Sequence, residues 1–196
     1  MKNNILSLLT KQEQQLLEVK SVDKGTYLFR EGELCSKISI VVSGGVKIVS
    51  THYSGNEVIF NVLESGEMFG NNLIFSDNPI YKGDVITTKD STIVSIKKEH
   101  LETILLSNKE FLIAYLNIQS NFGKKLNSTI KMLSMSSAED RFMFYLHENK
   151  DEISYHAITD LADILNLKRE TLSRLLTKLE KENIIRRSLH HISKVN

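Results

Sequence analysis

A single cysteine, Cys35, is the only thiol in this chain of 196 residues. One thiol excludes an internal disulfide and cannot supply the several thiolates that an iron–sulfur cluster needs. No apolar run approaches the roughly 18 residues that suggest a membrane span. The first residues also lack the basic, apolar and small-residue succession of a secretory signal, so the expected setting is a reducing cytoplasm with no membrane partner. Histidine is scarce too. Only His52 and His100 precede residue 135, too few for the histidine-and-carboxylate cluster of a metal-dependent β-roll enzyme. No set of nucleophile, base and orienting residue appears, and no glycine-rich phosphate loop. The expectation is no enzyme, with no catalytic residue, metal ligand or cofactor.

Charge of one sign is also missing. A net charge of +1 means that the field of the whole molecule cannot be the basis for binding nucleic acid. The distribution is uneven, however. From residue 166 to 196 the basic side chains are Lys168, Arg169, Arg174, Lys178, Lys181, Arg186, Arg187 and Lys194, against Glu170, Glu180 and Glu182, and the rest of the chain is net acidic. With 41% hydrophobic and 25% charged residues the composition is that of a folded globular protein rather than a disordered one.

The N-terminal half alternates short β-rich runs, at 27–30, 38–42, 46–50, 58–63 and 92–96, with turn signals at Gly25, Glu31-Gly32, Ser43-Gly44-Gly45, Ser54-Gly55-Asn56 and Ser65-Gly66-Glu67. Many short strands closely spaced by glycine turns predict an antiparallel roll of the jelly-roll kind. Alternation at Ile38, Ile40 and Val42, and at Val58, Phe60 and Val62, assigns those side chains to the inner face. Past Lys97 the period changes. Phe111, Tyr115, Ile118, Phe122, Leu126, Thr129 and Leu133 fall three or four apart without a proline, which predicts one long helix with a seam of about seven-residue repeat. Such a seam packs along a second copy, as its length and narrowness favour, or against the roll. Gly123 would permit close approach or mild bending. At residues 134–137 the pattern breaks, and Ser137 with Asp140 has the form of a capping box opening a new domain. The resulting fold class is α+β: a roll at 1–106, a dimerisation helix and hinge at 107–135, and a DNA-binding domain at 136–196.

Within that last segment, 160–185 reads as two short helices about a tight turn. Leu161, Ala162, Ile164 and Leu165 belong to the first, whose start is capped by either Ser154 or Thr159. Asn166 sits at the turn, where a left-handed backbone is often needed and asparagine tolerates it. On the second helix Leu172, Leu175, Leu176 and Leu179 recur at i, i+3, i+4 and i+7 and fill a core, so Arg169, Glu170, Ser173 and Arg174 must face outward. Arginine can donate two hydrogen bonds to guanine and glutamate can accept from cytosine. Lys168, Thr177 and Lys178 could meet phosphates or sugars. Taken singly, these charges could be solvated surface groups, and Glu170 could simply complement the helix dipole. The combination with the apolar spacing and the turn favours DNA reading. Residues 184–187 and 191–195 can pair as a wing, and adjacent His190 and His191 diverge too much to share a metal.

The order of roll, long helix, linker and winged helix-turn-helix, together with Arg169-Glu170-Thr171-Leu172-Ser173-Arg174 and the linker Ser136-Ser137-Ala138-Glu139-Asp140-Arg141, resembles the Crp/Fnr family of bacterial transcription regulators. The resemblance implies a homodimer bound to near-palindromic double-stranded DNA, with Arg169, Glu170 and Arg174 as base readers and Ser173 at a position that some members also use. It implies half-sites similar to TGTGA or TTGAT, and a signal received in the roll and passed along the central helices. It leaves RNA polymerase and a small-molecule effector open as partners. Lys168 departs from the family's small hydroxyl residue at the helix start. The family's cyclic-nucleotide cassette would lie in residues 66–73 and 80–84, which makes Gly70, Asn71, Asn72, Leu73, Tyr81 and Lys82 the candidate effector pocket. Asn71 and Tyr81 stand where cyclic-AMP binders carry a glutamate and an arginine. Lys82 offers a point charge without arginine's fork. The expected effector is therefore unidentified and not cyclic AMP. The competing reading is a signal-independent DNA-binding protein whose roll only supports dimerisation.

Overall fold

The structure is a computed structural model that describes residues 5–51 and 57–195, with the backbone alone at residues 51, 57, 58 and 60. His52, the Ser54-Gly55-Asn56 turn and the side chains of Val58 and Phe60 lie outside the described residues. The chain divides into two compact units, Met1–Ser120 and Asn121–Asn196.

The first unit opens with a 3-10 turn at Ile5–Leu8 and a one-turn helix α1 (Lys11–Gln14), capped reciprocally by Thr10 and Glu13. Eight strands follow: β1 (Glu18–Val22), β2 (Tyr27–Phe29), β3 (Lys37–Ser43), β4 (Gly45–Thr51), β5 (Glu57–Glu64), β6 (Met68–Phe69), β7 (Asp84–Thr87) and β8 (Ser91–Lys97). They form two antiparallel four-stranded sheets, ordered β1-β8-β3-β6 and β2-β7-β4-β5. Ile38, Val41, Val46, Val85 and Ile96 are fully buried in the core, as β-branched residues suit a pleated, packed surface. Ser39 and Ser95 are paired across β3 and β8, and their hydroxyls are 2.8 Å apart. Each satisfies the other, which avoids the roughly 1–3 kcal/mol cost of an orphaned buried hydroxyl.

The alternation read from the sequence needs two corrections. Along β3 the residues from Ile38 to Val41 are all buried, while Val42 is 43% exposed. A register shift against β8 between Val41 and Ser43 turns Val42 outward, as a bulge does. A second shift, where β5 meets Ile48 and Val49 of β4, leaves Val62 54% exposed and Leu63 buried, reversing the expected phase. β1, β6 and β7 were not among the strands read from sequence.

Two helices follow the roll, α2 (Lys98–Ser107) and α3 (Lys109–Leu133). Asn108 separates them. Its side chain accepts from the Phe111 N–H at 3.0 Å and donates to the Leu8 carbonyl at 2.9 Å, so it caps α3 and ties the helix start to the N-terminal segment. The predicted seam is only partly right. Phe111 and Tyr115 are buried in the roll core, so these two cannot face a second copy, and the partly buried Ile118 packs against that core. The apolar residues left exposed on α3 are Ile113, Leu116, Phe122, Leu126, Ile130 and Leu133. Leu116, Gly123 and Ile130 repeat at seven, as do Leu126 and Leu133, in the a and d spacing of a coiled-coil seam.

In the second unit α4 (Ala138–Glu148) is capped by Ser137, whose hydroxyl oxygen accepts from the Asp140 N–H at 2.9 Å. β9 (Glu152–Ser154) precedes α5 (Ile158–Ile164) and α6 (Arg169–Lys181), and β10 (Ile185–Ser188) and β11 (His191–Lys194) close the chain. The wing is three-stranded, ordered β10-β11-β9, which the sequence reading had as a two-stranded hairpin. Neither Ser154 nor Thr159 caps α5. Ser154 lies in β9 opposite His191, and Thr159 lies inside the helix. The Ala157 N–H is instead taken by the Asp160 carboxylate at 3.1 Å.

Candidate nucleic-acid interface

Leu172, Leu176 and Leu179 on α6 are fully buried with Phe142, Leu146, Leu161 and Leu165, and Leu175 is half-buried beside them. Each buried leucine is worth about 1.5–3 kcal/mol. Rolling the helix by one residue would expose them, so packing fixes the outward face. Arg169, Glu170, Thr171, Ser173, Arg174, Thr177, Lys178 and Lys181 are exposed on that face. A shallow groove runs along it, lined by Ser173, Arg174, Thr177, Lys178, Lys181 and Glu182. The turn ahead of α6 carries Asn166 at φ 50, the left-handed conformation expected there. Lys168 occupies the N-cap of α6 without a capping side-chain bond, so Glu170 in the first turn is the acidic complement to the helix dipole.

The charges on this face are not equivalent. Lys178 Nζ lies 2.8 Å from Glu139 Oε2 and 4.0 Å from Glu182 Oε1. The hydrogen bond to Glu139 raises the Lys178 pKa above its ordinary value, with the charges of Glu139 and Glu182 adding to it. Arg187 is bound by Glu180 through Nε at 2.8 Å and again through Nη2. That pairing holds the Glu180 carboxyl below its usual range. The Thr177 hydroxyl donates to the Ser173 carbonyl at 3.0 Å. Of the three residues expected to touch the DNA backbone, Thr177 and Lys178 are therefore engaged within the protein, while Lys168 is exposed.

Sequence reasoning gave Arg141 no role beyond its place in the linker string. Its Nε donates to the Met135 carbonyl at 2.9 Å, and its Nη1 donates to the carbonyls of Leu165 at 3.4 Å and Asn166 at 3.2 Å. One guanidinium thus joins the segment after α3 to the turn of the helix pair. No spacing rule marks such a residue, because its partners are backbone atoms distant in sequence.

The candidate effector residues differ in burial and in partners. Asn71 is 5% exposed, and its carbonyl accepts from the Tyr115 hydroxyl at 3.1 Å and from Gln119 Nε2 at 2.9 Å, while its side-chain amide donates to Gln119. Tyr81 is buried and stacked on Phe29 with ring centroids 4.5 Å apart. Burial pushes its phenol well above the usual range, with the neighbouring Cys35 thiol adding to the shift. Gly70, at φ 79, could not carry a Cβ, which would lie 2.9 Å from the Lys37 carbonyl and 3.1 Å from Cys35 Sγ. Asn72 and Lys82 are exposed and Leu73 is half-buried. Cys35 is 1% exposed, and burial raises its thiol pKa. Among the described residues no group of histidine, cysteine and carboxylate side chains could hold a metal ion, and no helix is long and apolar enough to cross a membrane.

A double-sheet roll, a long helix and a winged helix-turn-helix define a regulator of the DNA-binding type. Residues 19–108 match the family model of the cyclic nucleotide-binding domain, and residues 141–195 match that of the Crp-like helix-turn-helix domain. The chain belongs to the Crp/Fnr family of transcription regulators. It is 24% identical over 177 residues to the anaerobic regulatory protein of Bacillus subtilis (strain 168), covering 85% of this chain and 74% of that one. It is 25% identical over 173 residues to the cyclic AMP receptor protein of Thermus thermophilus, covering 83% and 77%. Among solved structures, a CooA variant from Carboxydothermus hydrogenoformans superposes with a TM-score of 0.78 over 100% of this chain and 93% of that one, at 17% identity, a likeness of fold.

Proposed function

We propose that two copies of this chain pair along the exposed seam of α3 and set their α6 helices into successive major grooves of a near-palindromic site. The observation that carries this reading is the two-faced α6. Leu172, Leu176 and Leu179 are fully buried, which leaves Arg169, Glu170, Ser173 and Arg174 on the solvent side. In this reading Arg169 and Arg174 fork onto guanines and Glu170 accepts from cytosine, each good pair discriminating by about 1–3 kcal/mol. Lys168 approaches the backbone. Residues 1–106 act as the sensor, 107–135 as dimerisation helix and hinge, and 136–196 as the reading head. Two-fold symmetry places the half-site centres about 34 Å apart.

The effector in this reading is a ligand other than cyclic AMP. Asn71 supports that choice, since its amide and carbonyl are already taken by Gln119 and Tyr115. Tyr81 supports it too, because a buried phenol supplies no cation for a cyclic phosphate. The test is selection of bound duplexes from a random pool with the purified chain, with and without cell extract. A near-palindromic preference is the expected outcome. Recovery of random sequence in both arms overturns the reading, and a preference indifferent to extract moves the function to signal-independent binding.

A further inference from the structure

On α6 the charges divide into two sets. Arg169 and Arg174, the proposed base readers, are exposed with no ion-pair partner among the described residues, and so is Lys181. Lys178, one turn beyond Arg174, is pinned between two carboxylates, Glu139 at 2.8 Å from the first turn of α4 and Glu182 at 4.0 Å from the end of α6. Lys178 with Glu139 and Glu182 carries two negative charges and one positive. The charge of Lys178 is therefore cancelled within the protein, which leaves Arg174 and Lys181 as the cations of this groove.

This placement matters because of how the two kinds of DNA binding are driven. Sequence-independent binding consists almost wholly of cations neutralising phosphates and releasing counterions, and it takes up whichever cations are free. A sequence-specific complex is held in register by base contacts, and its phosphate contacts follow from that register. A lysine withheld by carboxylates lowers the first kind of binding and leaves the base-reading side chains untouched.

We propose that Glu139 is a specificity-determining residue: it holds Lys178 off the DNA backbone and so weakens binding to non-target sequence more than binding to the target. The inference rests on the DNA-reading function proposed above. Glu182 is a weaker second partner in the same arrangement. Because a genome presents a great excess of non-target sites, a suppressed phosphate contact improves occupancy of the true site even when it adds nothing to affinity there.

The experiment measures binding of the full chain to a selected duplex and to a scrambled duplex of equal length across a salt series, by fluorescence anisotropy. Glu139→Gln should tighten binding to the scrambled duplex by about two- to fivefold, the range set by an exposed ion pair. It should steepen the salt slope there by about 0.9, the increment for one added phosphate contact. The selected duplex should gain less. Lys178→Met alone should leave the slope of the parent unchanged, and Glu139→Gln in that background should have no effect. A slope unmoved by Glu139→Gln overturns the proposal. So does an equal gain on both duplexes, or a gain that persists with methionine at 178. Lys178→Met leaves α4 intact and decides the matter even if Glu139→Gln impairs folding: a flattened slope means the lysine already serves the backbone, and the proposal fails. If selection returns no preferred duplex, the DNA-reading function falls, while the salt slopes on the scrambled duplex still score the role of Glu139.

Discussion

The Arg141 guanidinium donates to the Asn166 carbonyl at 3.2 Å, joining the first turn of α4 to the left-handed turn that aims α6. The same side chain also donates to the Leu165 carbonyl at the end of α5 and to the Met135 carbonyl in the segment after α3. Hydrogen bonds from a charged donor contribute about 1.5–3 kcal/mol. Arg141→Met should therefore destabilise the second unit by roughly that amount in denaturant unfolding and weaken DNA binding with it. Arg141→Lys should recover only part, because a point charge cannot reach the carbonyls on both sides. Equal stability of the methionine variant would show the contacts to be incidental.

The two faces of α3 make separable predictions. Leu126 and Ile130 are 50% and 58% exposed, so an aspartate at either position costs little in a lone chain but places charge in the proposed seam. Leu126→Asp and Ile130→Asp should shift the sedimentation profile from dimer to monomer with the melting temperature of the roll preserved. Phe111→Ala instead removes a side chain from the roll core and should cost about 3–5 kcal/mol of roll stability. A dimer that survives both aspartate variants places the interface elsewhere.

Why the sequence misassigned part of that helix follows from the same residues. Phe111, Tyr115 and Ile118 share the period of the exposed apolar residues further along α3, and helical spacing shows that a face is apolar without showing what covers it. The reading head was far more legible, since Leu172, Leu176, Leu179 and Asn166 are constrained by local geometry alone. β9 escaped notice because a three-residue strand has no measurable period. The bulges at Val42 and opposite Val49 escaped because a register shift depends on the partner strand. The pairing of Lys178 with Glu139 spans 39 residues, and only the folded chain brings them together.

Cys35 offers a direct check on the interior of the roll. The thiol is 1% exposed, and burial raises its pKa, so little thiolate forms near neutrality and none of it is accessible. A disulfide reagent at pH 8 should label the native protein only at the rate of unfolding, and stoichiometrically in denaturant. Rapid labelling of the native chain would contradict this packing and reopen a redox role.

Acid sensitivity should have an identifiable contributor in Glu18. The hydrogen bond from Lys37 at 3.1 Å holds its carboxyl below the ordinary value of 4.5, with Lys97 adding a second positive charge. A depressed carboxylate stabilises the fold above the unfolded pKa, and that stability is lost as pH falls through the folded value. Glu18→Gln should therefore flatten the stability profile below about pH 4.5 and leave its shape unchanged above pH 6. An unaltered acid limb would remove Glu18 from the account.

Arg174 tests the reading face most sharply, because it is exposed and unpaired among the described residues and its loss should leave the fold intact. Arginine recognises guanine through two parallel hydrogen bonds, and their loss costs about 1–3 kcal/mol of discrimination at one base pair. Selection with Arg174→Ala should return the parent consensus with one position in each half-site relaxed, and with the melting temperature unchanged. Leu172→Ala, two residues away on the buried face, should lose about 2–5 kcal/mol of stability and weaken binding to every sequence alike. If Arg174→Ala instead weakens all duplexes equally, the arginine serves the backbone, and base reading passes to Arg169 and Glu170.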